Sequence, residues 1–354
     1  NMIINKKSVA IILAIALAGI APLFWLILQS DGDNHSHNDE HQHHTLSTNV
    51  QKEMLLSSSV VSPIPSGDDI NIAQAKIGWL LFKDPQLSSN GQISCESCHD
   101  LSSNGAEPTA VSTGVEGLGE RNSLTVFNAA LNYRFFWDGR ANTLNDQIDG
   151  PIHSNVEMNS NWKDITEYVT NSPQYPQLFG EQQVEINEAT IKSMLVEFMN
   201  ALVTPNSPFD KYLSGDRNAL TTQQIEGWKL FQQHGCIRCH RGTNIGGGMV
   251  MKFGLYGLEY NGQERSADTG RHMHTNKPED MYIFRVASLR NVAATPPYFH
   301  DGQTRNLEDA IEIMARSQLG LSLTPKEIDA ISAFLNTLSA ERPAILEEFE
   351  NESY

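Results

Sequence analysis

The chain is poor in cysteine, in positive charge and in strand-forming sequence. Its 354 residues include four cysteines, too few for the disulfide framework of a small secreted scaffold. Lysine and arginine number 25 against 42 acidic residues, a formal net charge of -17. So acidic a surface repels nucleic acid and anionic lipid and attracts basic partners, small basic electron carriers among them. Alternating apolar and polar runs are few and short, which argues against a β-sandwich or barrel. Histidine is absent between His99 and His153, and long apolar runs are absent but for one near the N-terminus.

That run extends from Ser8 to Leu28 behind Lys6 and Lys7. Its length suffices to cross a bilayer, and the flanking lysines predict an N-in orientation. A cleaved signal peptide competes, with Ala16-Leu17-Ala18 as the cleavage triplet. The apolar residues from Pro22 to Leu28 continue past the triplet and favour an uncleaved anchor in residues 1–30. Residues 31–67 then read as a polar linker. It contains His35, His37, His41, His43 and His44, a tract that binds copper, zinc or nickel weakly or serves as a solvated spacer. Pro63 and Pro65 continue it, and ordered structure is expected near Asp68.

All four cysteines lie in two strings, Cys95-Glu96-Ser97-Cys98-His99 and Cys236-Ile237-Arg238-Cys239-His240. Each reads C-x-x-C-H, the attachment signature of a c-type haem. The two thiols bond the haem vinyl groups, and the adjoining histidine becomes the proximal iron ligand. A redox dithiol does not need histidine in the next position, and a zinc site fixes no such place for it. Two covalent haem c groups are therefore expected. Their attachment places the globular part outside the cytoplasm, in the periplasm.

An internal repeat surrounds the motifs. Gly78-Trp79-Leu80-Leu81-Phe82 precedes the first, and Gly227-Trp228-Lys229-Leu230-Phe231 the second. Both lie in segments of helical periodicity, each a helix leading into a haem-binding loop. Thr221-Thr222-Gln223-Gln224 reads as a capped helix start, and Thr324-Pro325-Lys326-Glu327 as a cap with proline at the first helical position. Further helices are expected around 189–203, 306–316 and 324–338. The fold class is mainly α, with two tandem cytochrome c-like haem domains at 68–208 and 209–342 and an acidic tail at 343–354.

Over nearly all of residues 70–340 the chain resembles the bacterial dihaem cytochrome c peroxidases. The matching strings are Leu81-Phe82-Lys83-Asp84-Pro85-Gln86-Leu87-Ser88, Phe136-Trp137-Asp138-Gly139-Arg140-Ala141, Ser207-Pro208-Phe209-Asp210-Lys211-Tyr212-Leu213 and Pro297-Tyr298-Phe299-His300-Asp301-Gly302. The resemblance implies that the N-terminal haem reduces hydrogen peroxide and that the C-terminal haem is a six-coordinate electron port. It places the second ligand of the latter at Met314, with Met249, Met251, Met273 and Met281 as sequence rivals. It places the peroxide-handling pair at Gln147 and Glu157, and the relay between the haems at Trp137. It further implies a calcium ion held by the Asn122 side chain and the Thr295 and Pro297 carbonyls, a small cytochrome c or cupredoxin as electron donor, and a homodimer.

One departure stands out against this family. Most members carry a histidine that occupies the distal side of the peroxidatic haem until the other haem is reduced. Position 115 holds Val115 instead, which cannot ligate iron; Glu116 and Glu120 are weak substitutes at best. The first site is thus expected to stand open in every redox state. Two other functions compete with peroxide reduction. MauG-type dihaem enzymes, which resemble the same family, use peroxide to oxidise residues of a partner protein and place a tyrosine where Met314 stands. A dihaem electron carrier with no enzymatic role is the other.

Overall fold

The computed structural model describes residues 60–352 except 68, 261, 262, 265 and 266. The apolar run of residues 8–28 and the histidine tract lie outside the described residues. Among the described residues no helix is long and apolar enough to cross a membrane.

In chain order the first half holds α1 (Ile72–Lys83), α2 (Leu144–His153), α3 (Trp162–Asn171), α4 (Tyr175–Glu181) and α5 (Glu188–Ala201). The second half holds α6 (Pro208–Leu213), α7 (Thr222–Gln233), α8 (His272–Thr275), α9 (Leu307–Leu319) and α10 (Pro325–Asn336), and α11 (Ala344–Asn351) follows. Strands are short: β1 (Thr113–Gly114), β2 (Gly117–Leu118), β3 (Val250–Lys252), β4 (Glu259–Tyr260), β5 (Gln263–Glu264) and β6 (Ile283–Arg285). They form three antiparallel ribbons, β1 with β2, β3 with β6 and β4 with β5.

Each half is built on one helix crossing, and the sequence repeat explains both. Where α1 meets α5, a Cβ on Gly78 would lie 2.0 Å from the Met194 carbonyl oxygen. Where α7 meets α10, a Cβ on Gly227 would lie 1.8 Å from that of Ala330. Only glycine lets the backbones approach so closely. The phenylalanine one turn later seals each crossing: Phe82 meets Phe198 at 5.3 Å, and Phe231 meets Phe334 at 5.3 Å. Both then reach the motif histidine, Phe82 to His99 and Phe231 to His240, each at 6.3 Å. The helix starts at α7 and α10 are closed by reciprocal capping boxes on Thr221 and Thr324, which satisfy N–H groups the helix itself leaves free.

The first core runs from Ala75 to Leu202 and includes Trp79, Phe82, Phe179 and Phe198; the second gathers Phe209, Trp228, Phe231 and Phe334. The chain ends cross over between them. Residues 60–67, expected as linker, already pack on the second half: Val60 and Val61 join its apolar core, and the Ile64 N–H donates to Asp210 Oδ1 at 3.3 Å. The Gly242 N–H donates to the Val60 carbonyl at 2.7 Å, and Arg290 Nη2 to that of Ser62 at 3.0 Å. At the other end α11, within the acidic tail, lays Leu346 and Phe349 into the first core, with Phe349 5.7 Å from Trp79. Arg342 reaches from its approach to the Leu101 carbonyl and to Glu350.

A polar clamp joins the halves beside Trp137. Asp138 is fully buried, and its Oδ2 lies 2.6 Å from Arg121 Nη1, 2.7 Å from Arg140 Nη1 and 3.0 Å from His274 Nε2. Arg121 also pairs with Asp268 at 2.7 Å, and Arg271 donates to the Gly139 carbonyl at 3.1 Å.

Candidate active site

Both C-x-x-C-H strings fold as a short 3-10 turn at the foot of a helix, Cys95–Ser97 after α1 and Cys236–Arg238 after α7. All four thiols are free, as thioether attachment requires. The His240 ring is buried, and its Nδ1 lies 3.1 Å from the Ala287 carbonyl. That bond fixes the tautomer and leaves Nε2 as the metal-binding nitrogen. Burial pushes the imidazole down to about 4, so it is neutral and able to ligate at ordinary pH. His99 is lowered too, chiefly by burial, with the Glu107 carboxylate and the Gly105 and Leu124 carbonyls opposing. Neither carbonyl closes a hydrogen bond of good geometry, and His99 Nδ1 is buried without a partner among the described residues. These features fit two covalent haems.

The second motif opens on a cavity lined by Cys236, Cys239 and His240 together with Met314 and Met251. Met314 projects from α9, and Met251 from β3 opposite Phe284. Of the sequence rivals, Met251 alone lines this cavity alongside Met314; Met273 is exposed and its sulfur faces Arg121 Nη2 at 3.6 Å. The same cavity is lined by Trp137, Asn122, Thr295 and Pro297. Trp137 Nε1 donates to the Asn122 carbonyl at 2.8 Å, and the Asn122 amide donates to that of Thr109 at 3.1 Å. Its neighbour Phe136 packs against the first core. Residues 136 and 137 thus bridge the two halves.

Burial chiefly raises the proton affinity of Cys95 and Cys98, and the Glu157 carboxylate, close enough to be felt at both, adds a small part. Burial also holds the Glu157 carboxyl above the usual carboxylate range, with the Arg140 guanidinium and the Ser154 hydroxyl pulling the other way. Arg140 is itself stacked 3.4 Å from the Phe136 ring centre. Gln147 is half-buried on α2, and its side chain makes no hydrogen bond among the described residues. Glu157 is near enough to the motif for its charge to be felt at both cysteines, and Gln147 shares its helix–loop segment.

Val115 sits in the turn between β1 and β2, and its N–H donates to the Glu157 carbonyl at 2.9 Å. The hairpin docks there because Gly114 admits the close approach; a Cβ would lie 1.9 Å from the Val156 carbonyl oxygen. Position 115 therefore borders the Glu157 loop and offers only hydrocarbon. Glu116 is exposed and accepts from Asn155 and Asn159, each at 3.0 Å, so its carboxylate is engaged at the surface.

Two further residues of the second cavity went unassigned in the sequence. His300 stacks on Phe284 at 4.2 Å and meets Trp137 edge-on at 6.2 Å; it lay inside a family string without a role of its own. Arg285 also lines the cavity, and the only sign of it was an arginine in the apolar run Ile283-Phe284-Arg285-Val286-Ala287.

A family model described as di-haem cytochrome c peroxidase matches residues 72–218. The cytochrome c551 peroxidase of Pseudomonas aeruginosa is 41% identical over 301 residues, covering 82% of this chain and 87% of that protein. The cytochrome c551 peroxidase of Nitrosomonas europaea is 39% identical over 295 residues, with 82% and 87% covered. A solved structure described as a MauG-like protein associated with microbial copper homeostasis superposes with a TM-score of 0.67 at 26% identity, over 79% of this chain and 93% of the other. Motif, cavity and relatives agree: the chain belongs to the di-haem cytochrome c peroxidase family.

Proposed function

We propose that this protein reduces hydrogen peroxide to water with electrons from a small cytochrome c or cupredoxin. The observation that carries the reading is Glu157, a carboxyl of raised proton affinity set beside the Cys95–His99 motif. When bound, the haem at His99 supplies the iron at which peroxide is reduced, and that at His240 the store for incoming electrons. The balance is one hydrogen peroxide, two electrons and two protons to two waters.

The chain's own residues handle protons and orientation. Ionised Glu157 accepts a proton from peroxide and returns it to the oxygen that departs as water. Arg140 keeps burial from locking the carboxyl in its protonated form. The free Gln147 amide can donate or accept, which suits it to orient the substrate. Trp137 offers an aromatic stepping place between the halves. Met314 would supply a sulfur ligand to a haem held at the second site, and Val115 offers the first no ligating side chain. Asn122, Thr295 and Pro297 present oxygen donors of the kind calcium takes, and resemblance supports a calcium there. Resemblance likewise supports a periplasmic location, attachment through residues 1–30 and pairing of two chains.

The MauG-type alternative draws on Val115 and on the MauG-like structure. Tyr298 is the tyrosine lining the second cavity, and burial pushes its hydroxyl up to about 12, which disfavours the phenolate that a tyrosine ligand needs. The deciding experiment mixes the dihaem protein with peroxide and reduced cytochrome c or cupredoxin. Oxidation of two donors per peroxide supports the proposal. Absence of turnover with every small donor overturns it.

A further inference from the structure

Two arginines in one short segment are almost fully buried, Arg285 at 5% exposure and Arg290 at 1%. Arg290 is compensated. Its Nη2 lies 2.7 Å from Asp210 Oδ1 and its other donors reach the Thr243 carbonyl and the Ser207 hydroxyl, both at 3.1 Å. Arg285 has only neutral partners: Nε donates to the Phe136 carbonyl at 3.2 Å and Nη1 to the Ser288 hydroxyl at 3.3 Å. No carboxylate pairs with it among the described residues, and burial alone pushes the guanidinium down to about 10.

A guanidinium stays charged in a protein, and a buried charge without a counter-charge is strongly disfavoured. The side chain lines the cavity of the second motif, and that lining is unusual for so acidic a chain. It contains Lys252, Arg285 and Arg290 and not one aspartate or glutamate. The cavity is thus built for a ligand that is apolar over most of its surface and anionic at an edge. Haem has this character, a flat hydrocarbon ring with two propionate carboxylates.

We propose that Arg285 is the buried counter-charge for a propionate of the haem held by Cys236, Cys239 and His240, and that it raises the reduction potential of that haem. The inference rests on reading the second motif as a haem site. A fixed positive charge beside the haem favours the added electron, so Arg285 helps to make this the electron port. Its backbone N–H donates to the Trp137 carbonyl at 2.6 Å. The counter-charge and the residue between the halves are therefore held in one register, and Arg285 acts as a positioning residue as well as a charge.

The test is a spectroscopic redox titration of the holoprotein and its Arg285→Gln, Arg285→Lys and Ser288→Ala variants. Haem content is measured first. A wild-type protein carrying fewer than two haems overturns the haem reading itself, separately from the present inference. With two haems bound, Arg285→Gln is expected to weaken reduction of the second haem at least tenfold, a fall of 59 mV for a one-electron couple. The first haem should stay within twofold of wild type, and Ser288→Ala, which removes one partner of Arg285 but not its charge, should shift the second haem less than Arg285→Gln does. An unshifted second haem in a fully loaded Arg285→Gln protein overturns the proposal. If that variant does not accumulate, Arg285→Lys decides, since it keeps the charge but not the forked donor. Its propionate bending band in resonance Raman should shift, and an unchanged band overturns the proposal.

Discussion

At Glu157 burial and charge pull in opposite directions. Burial favours the protonated carboxyl, while Arg140 and Ser154 favour the ionised one. The result is a carboxyl that holds its proton more tightly than a solvated glutamate does, while Arg140 and Ser154 still favour its release. The sign for stability follows. A carboxyl with folded pKa raised above its unfolded value contributes stability at low pH and loses it as pH rises through the folded pKa. Ionised Glu157 is thus a small burden on the fold at neutral pH. Glu157→Gln is expected to cut peroxide turnover by roughly 10²–10⁴-fold, the usual worth of a general acid–base group. The melting temperature at pH 7 should hold or rise. A large loss of stability would make the residue structural, and steady-state kinetics beside calorimetry separates the two.

The helix crossings make a prediction at the scale of the element. Gly227→Ala forces a methyl against the Ala330 carbonyl where α7 meets α10, and such overpacking costs about 1–3 kcal/mol. Gly180, within α4, has nothing within 4 Å of an added Cβ. Gly180→Ala should therefore be neutral or stabilise by about 0.4–1 kcal/mol through the unfolded chain. Denaturant unfolding of the two variants measures the contrast, and equal effects would show that the crossing is not tight. The helices that enter these crossings were legible in advance because the Gly-Trp-x-Leu-Phe repeat and the threonine caps are local signals, while the crossings themselves were not. The helices beginning at Glu188, Leu307 and Pro325 appear within a few residues of the expected places. By contrast α11 was hidden in an acidic stretch, since only the first core gives Leu346 and Phe349 a reason to be helical. The site divides in the same way. Cysteines and histidines at fixed spacing announce their chemistry. Arg285 does not, because its meaning lies in a carboxylate missing from its surroundings, which only the folded chain reveals.

Across the whole molecule the ties between the two halves include the docked residues 60–67, the returning α11, the Trp137–Arg285 backbone bond and the Asp138 clamp. The clamp carries the sharpest expectation. Asp138 is buried, and despite the opposing effect of burial, Arg140 and Arg121 hold its carboxyl below the usual carboxylate range. A carboxyl depressed in this way contributes stability above its unfolded pKa and loses it as pH falls through the folded value. Asp138→Asn leaves buried cations without their counter-charge, a loss of about 3–5 kcal/mol when a buried pair is broken. Denaturant titration at pH 7 should show that loss, and it should shrink at acid pH, where the wild-type carboxyl is itself protonated. A variant as stable as wild type at neutral pH would mean that the clamp does not hold the halves together.

The same whole-molecule view makes the two C-x-x-C-H motifs unequal partners. The second opens on a cavity of basic and apolar groups that Met314 lines, and on the proposed reading Met314 closes it, while Val115 leaves the first open. Low-temperature electron paramagnetic resonance of the fully oxidised dihaem protein, with no reductant added, tests this inequality most directly. The expected spectrum contains one high-spin and one low-spin ferric haem in equal amounts. Two low-spin haems with no high-spin component would contradict it.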